Sequence, residues 1–198
     1  MKKAFIIVLI ILFVDQFVKI WIKTHLYLGE EIHIAGNWFI IHFTENEGMA
    51  FGLQLGGAFG KLFLSLFRIV AVILMTYWLF TLTRRKVHTG LIVSIALIIA
   101  GAMGNILDSA FYGLLFSESS YMQVSTLQLH QGGYAPFLYG KVVDMLYFPV
   151  VDTHFPSWFP IWGGQEFQFF RPVFNIADSS ITIGVFMLIL FQKKFFKK

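Results

Sequence analysis

The sequence predicts an all-α membrane protein: four transmembrane helices with both termini cytoplasmic, a small extracytoplasmic β element and an irregular outer loop. Three observations carry the prediction. Hydrophobic residues make up 57% of the 198-residue chain and charged residues 13%, about half the share of a soluble domain. Four mostly apolar runs, 4–22, 62–82, 90–107 and 174–191, approach the roughly 20 residues a helix needs to cross about 30 Å of hydrocarbon. The basic residues are segregated as well. Lys2, Lys3, Arg84, Arg85, Lys86, Lys193, Lys194, Lys197 and Lys198 fall at the N-terminus, between the second and third runs, and at the C-terminus, where no acidic residue occurs. Such a composition sets aside disorder, collagen and nucleic-acid binding through a basic patch.

Each element follows in order. The first run stands behind Lys2 and Lys3 as a secretory leader would, but no small-residue cleavage site closes it, and Asp15, Gln16 and Lys19 interrupt its second half. It reads as a retained helix with a polar face. The outer loop 23–61 opens with short strands at 32–34 and 38–43, then a polar turn at 44–48 and a glycine-rich stretch at 52–60. The second and third runs are joined by 83–89 alone, which forces an antiparallel hairpin with its cations inside. The outer loop 108–173 carries Pro136, Pro149, Pro156, Pro160 and Pro172 among many aromatics, so it reads as irregular, with Trp158 and Trp162 suited to the headgroup belt. Its Tyr112, Phe116, Tyr121, Tyr134, Phe137 and Tyr139 suit the reception of a substrate arriving through the membrane. With no repeat and no linker, residues 1–198 form one membrane domain.

Ionisable side chains at membrane depth cost about 2.5 to 3.5 kcal/mol each on insertion scales, so they mark candidate sites. Asp15 and Lys19, spaced i,i+4, share a face of the first span, and a structural ion pair orienting two helices accounts for them. Asn105 and Asp108 are spaced i,i+3 at the outer end of the third span, and Asn175 and Asp178 repeat the spacing at the start of the fourth. Asp108 is open to a structural or a functional role. Asp144 and Asp178 differ from the rest, because each lies in an apolar context with no basic residue within four positions. Mutual pairing is the economical explanation. Two carboxyl groups held close share a proton, so that one acts as base toward a water while the other acts as acid toward a carbonyl. That is aspartyl-peptidase chemistry; two separate helix caps are the alternative.

Five segments also resemble a known family. Asp15-Gln16-Phe17-Val18-Lys19, Asn46-Glu47-Gly48-Met49-Ala50-Phe51, Gly104-Asn105-Ile106-Leu107-Asp108, Val142-Val143-Asp144 and Phe174-Asn175-Ile176-Ala177-Asp178-Ser179 are similar, in order, to the sequence boxes of lipoprotein signal peptidase, also called signal peptidase II. The resemblance implies an intramembrane aspartyl endopeptidase of the bacterial cell membrane, the inner membrane in a Gram-negative cell, with its active site toward the extracytoplasmic face. Its substrate would be a prolipoprotein whose cysteine already carries diacylglyceryl, cut just before that cysteine. Asp144 and Asp178 would be the catalytic pair, with Asp15, Lys19, Asn46, Asn105, Asp108 and Asn175 supporting the site or contacting substrate. The chain departs from the family where Ser109 replaces an Arg after the third box, leaving Arg68 or Arg171 to supply that charge. The stretches from Asp108 to Asp144 and from Asp144 to Asp178 are longer than usual and read as insertions.

Other chemistries find little support. With no cysteine there is no thiolate site or cysteine nucleophile, and the six histidines show no paired metal-ligand spacing, so neither metal nor cofactor is expected. No Gly-x-Ser-x-Gly elbow marks a serine nucleophile. A proton-coupled transport subunit using Asp15, Asp108 and Asp178 as a relay is the rival reading, but the chain lacks the inverted repeats or broken helices such proteins carry. The expected partners are the lipidated substrate and membrane lipids, and the expected state is a monomer.

Overall fold

Each apolar run becomes a helix longer than its hydropathy marks out. Hydropathy falls where charges begin, whereas a helix ends only where its backbone bonding is capped or broken. In a computed structural model the described residues are 2–48, 57–85, 87–130, 132–149, 151–154, 156–169 and 172–196. The first helix, α1, spans Lys2–His25 and the second, α2, Gly57–Thr83. Lys23, assigned to the outer loop from sequence, therefore lies in the last turn of α1. Helix α3 (Thr89–Leu107) does not stop at Asp108. It runs through one π-helical turn, Asp108–Tyr112, into α4 (Gly113–Leu115), and α5 closes the chain at Ile176–Phe195. Four helical segments among the described residues are long and apolar enough to cross a membrane.

Helix α3 is the centre of the bundle. Half of its most apolar window is buried, against 11% to 17% for the other three spans, whose large side chains face outward. Lipid offers apolar side chains as good a surroundings as protein does, so close approach of small residues holds such helices together. A Cβ on Gly101 would lie 2.1 Å from the Ala177 carbonyl oxygen, and one on Gly184 2.6 Å from that of Ser94. At the basic end, Ala4, Leu79, Leu82, Leu91, Ile95 and Phe195 pack together.

The opposite end carries the sheets. Strands β1 (Glu31–Ala35) and β2 (Phe39–Asn46) form an antiparallel hairpin with Ile32 opposite Ile41. Residues 44–46, expected in a turn, extend β2 instead. They do so because β2 has a second partner, β3 (Val142–Tyr147), which pairs antiparallel with Thr44 opposite Asp144 and Asn46 opposite Val142. The second outer loop is thus only partly irregular. It supplies β3 and a separate two-stranded sheet, β4 (Val151–His154) with β5 (Glu166–Phe169). Residues 113–135 are laced by Ser117 N–H to Thr126 O (2.9 Å), Gln128 N–H to Leu115 O (2.7 Å) and Tyr134 N–H to Phe116 O (3.1 Å). Ile22, Leu26, Phe43, Tyr112, Phe116, Val143 and Met145 form the core between α1, the sheet and this segment. Trp158 and Trp162 are exposed between β4 and β5.

Candidate active site

Polar residues on α1 recur at Asp15, Lys19 and Lys23, one helical stripe, and all three are buried. The Lys19 ammonium donates to Asp15 Oδ2 (3.0 Å), Asp108 Oδ2 (2.8 Å) and Asn105 Oδ1 (3.0 Å), which uses its three donors. The i,i+4 ion pair thus forms, and it extends to α3. Helix α3 can come this close because position 104 is glycine: a Cβ there would stand 2.7 Å from Asp15 Oδ2. Asp15 reaches α5 too, accepting the Ala177 N–H at 2.9 Å in its first turn, where the helix dipole favours an anion.

Asp108 serves as the joint between bundle and sheet. Its Oδ1 accepts from Gln16 Nε2 at 2.8 Å, and its Oδ2 from the Val143 N–H at 3.2 Å, one residue before Asp144. Gln16 also reaches the Gly104 carbonyl (3.3 Å), and its Oε1 accepts from the Tyr112 hydroxyl (3.2 Å). Gln16, marked in sequence only as a polar interruption of the first span, is thus part of the site's framework, and Tyr112, expected to receive substrate together with Phe116, is buried with it in the core instead.

Two asparagines connect the remaining acids. Asn175 caps α5, its Oδ1 accepting from the Asp178 N–H at 2.8 Å. Its Nδ2 donates to Asp144 Oδ1 at 2.7 Å and lies 3.3 Å from Asn105 Oδ1. Asn105 in turn donates to Asp178 Oδ1 at 2.8 Å. Asp144 Oδ2 accepts from Asn46 Nδ2, diagonally across the β2–β3 pair. The two acids that the sequence left without a local cation are therefore joined through Asn175 and Asn105, and neither takes part in an ion pair among the described residues. Asp144 is buried, whereas Asp178 is half-buried. Burial first, then the charge of Asp178, push the Asp144 carboxyl up to about 7, against the opposing effects of Asn175, Asn46 and Lys19.

Arg68, half-buried on α2, donates to the Gly48 carbonyl and sits in the field of Asp178, Asp108 and Asp144, Asp178 acting most strongly. Gly48 permits the approach: its φ is +91°, and a Cβ there would lie 2.9 Å from Arg68 Nη1. Ser109 is buried and donates back to the Asn105 carbonyl at 3.0 Å. Of the segments that carried the resemblance, Met49, Ala50 and Phe51 lie outside the described residues, as do the greater part of the glycine-rich stretch and Arg171, the other candidate cation. Asp15, Lys19, Asn46, Asn105, Asp108, Asp144, Asn175 and Asp178, the site residues named from sequence, stand in this one network, with Arg68 against it. Among the described residues no three His, Asp or Glu side chains are placed to hold a metal ion.

This arrangement can be set beside known proteins. Residues 7–194 match the family model described as signal peptidase (SPase) II. The lipoprotein signal peptidases of two Porphyromonas gingivalis strains are 52% identical over 185 residues, covering 93% of this chain and 80% of theirs. The lipoprotein signal peptidase of Amoebophilus asiaticus is 33% identical over 191 residues, covering 95% of this chain and 76% of its own. A solved structure described as a bacterial membrane enzyme, obtained by the in meso method, superposes with a TM-score of 0.66 at 24% identity, covering 100% of this chain and 93% of its own.

Proposed function

The chain belongs to the signal peptidase II family of aspartic peptidases, and from that premise we propose that Asp144 and Asp178 are its catalytic pair. The chain is a bacterial membrane protein with lipoprotein signal peptidase activity. Its substrate is a prolipoprotein carrying diacylglyceryl on the cysteine just after the cleaved bond. One observation carries the assignment: Asp144 and Asp178 are bridged through Asn175 and Asn105, with the Asp144 carboxyl pushed up to about 7, so that it is still partly protonated in neutral conditions.

The geometry supports a division of labour. Asp144, the more deeply buried, keeps the shared proton and gives it to the scissile carbonyl oxygen. Asp178 takes a proton from the attacking water, whose oxygen bonds to the carbonyl carbon. Asp178 then returns its proton to the departing amide nitrogen as the carbon–nitrogen bond breaks, and Asp144 recovers its own from the collapsing hydroxyl. Asn175 and Asn46 orient Asp144, Asn105 orients Asp178, and the ion triad of Lys19, Asp15 and Asp108 ties α1 to the outer end of α3 and, through the Ala177 and Val143 N–H groups, to α5 and β3. The single 1–198 domain works as a monomer, with both termini cytoplasmic and the site in the extracytoplasmic half of the membrane. Incubating the purified protein with a diacylglyceryl-modified prolipoprotein peptide tests the pair. Wild type cleaves it, and Asp144→Asn and Asp178→Asn each remain folded but inert; turnover by either would remove the assignment.

A further inference from the structure

Lys23 takes no part in the network of Lys19, yet it is equally enclosed, with none of its side chain exposed. Its ammonium donates to Glu45 Oε1 on β2 and, at 2.8 Å, to Ser119 Oγ in the segment after α4. Ser119 itself donates to Glu45 Oε1 at 2.9 Å. The rings of Tyr134 and Phe116 flank the ammonium, with centroids 5.1 Å and 5.7 Å away. A buried cation persists only where its donors are met, so these contacts hold α1, β2 and the 116–134 segment in one arrangement.

Strand geometry then links this cluster to the site. Successive side chains point to opposite faces, so Glu45 turns toward Lys23 while Asn46, the next residue, turns toward Asp144. A change at Glu45 that let β2 slide or twist would move the Asn46 amide off the carboxyl it bonds. We propose that Lys23 is a positioning residue for peptide cleavage: through Glu45 it locks β2 in register and so holds the Asn46 amide on Asp144. The inference rests on Asp144 and Asp178 being the catalytic pair.

The charged groups around both ends are defined. Lys23 faces Glu45 on β2, with Lys141 before β3 and Asp108 in the π-helical turn farther off. Asp144 faces Asp178 on α5 and Lys19 on α1, with Arg68 of α2 in the same field. Asn46 stabilises the charged form of Asp144, so losing its donation moves that carboxyl further up.

Kinetics on lipidated prolipoprotein peptide, run across pH, test the proposal. The double variant Lys23→Met with Glu45→Gln leaves no lone buried charge. It is expected to lower kcat about tenfold to a hundredfold with little change in KM, because a small misplacement of a catalytic group is enough for such a loss. Its alkaline pH limb should move upward as that of Asn46→Ala does, and combining all three changes should add little to Asn46→Ala alone. Lys23→Arg, which keeps a cationic donor, should hold the limb near wild type. If the double variant does not fold, Lys23→Gln with Glu45→Gln, which likewise leaves no lone buried charge and keeps polar groups at both positions, is read in the same way. A folded variant with wild-type kcat and limb, or losses that multiply fully with Asn46→Ala, overturns the role of Lys23. Asp144→Asn and Asp178→Asn run alongside: turnover by either condemns the catalytic pair, whereas two inert variants beside a normal Lys23 variant condemn only this inference.

Discussion

Asp144 holds its proton where most carboxyl groups have lost it, and the reason is local. It is buried beside a second acid, and the amides of Asn46 and Asn175 only partly offset that cost. The sign for activity follows. With a carboxyl near 7 supplying the acid, cleavage should decline above about pH 7 as the pair loses its shared proton. Asn175→Ala removes a donor that favours the charged form, so it should lower the rate and shift that decline to higher pH; a pH profile on a lipidated peptide reads both. Arg68 is the second residue whose surroundings define an effect. It joins the Gly48 carbonyl to a site holding three acids, while the short Ser109 side chain is spent on the Asn105 carbonyl and brings no charge. Charge-assisted hydrogen bonds are worth about 1.5 to 3 kcal/mol, so Arg68→Ala should lower kcat/KM by roughly tenfold to a hundredfold in the same assay. A nearly silent variant would show that Arg68 serves neither the acids nor the substrate.

At the scale of elements, the close passage of α3 and α5 decides whether the acids meet. Gly101 stands directly against the Ala177 carbonyl, one residue before Asp178, and Ala177 in turn donates to Asp15. Gly101→Ala must push α5 outward at that point. Overpacking of this kind costs about 1 to 3 kcal/mol, and thermal unfolding in detergent should register it together with a loss of cleavage. The elements were unequally legible from sequence. The helices were, because a run of apolar residues at membrane length has few other uses. Strand β3 was not, since Val142–Tyr147 gains its strand character from β2, with Asn46 and Asp144 98 positions apart. Lys23 was placed in a loop because hydropathy ends near Ile22, although its spacing of four from Lys19 continued the stripe of α1. Asp144 and Asp178 stood out through lacking a nearby cation, but their bridge depends on side-chain directions of Asn175 and Asn105 that no spacing encodes.

For the whole molecule, the distribution of charge and the position of the site make one statement about orientation. The last turns of α1, the outer end of α3, the first turn of α5 and the early turns of α2 carry Lys19, Asn105, Asp108, Asn175, Asp178 and Arg68 at the same end of the bundle as the sheets. The other end holds Arg84 and Arg85 in the short link after α2 and Lys193 and Lys194 in the last turn of α5. Basic residues are retained on the cytoplasmic side during insertion, so the site should open outward, where a diacylated precursor arrives after export. The chain contains no cysteine, which makes the orientation directly measurable. Met122 is 92% exposed in the segment after α4, and Thr89 is exposed at the start of α3. A membrane-impermeant maleimide applied to intact spheroplasts should label Met122→Cys at once and Thr89→Cys only after the membrane is permeabilised. The reverse pattern would place the acids in the cytoplasmic leaflet, away from an exported substrate, and would require a different account of how the precursor reaches them.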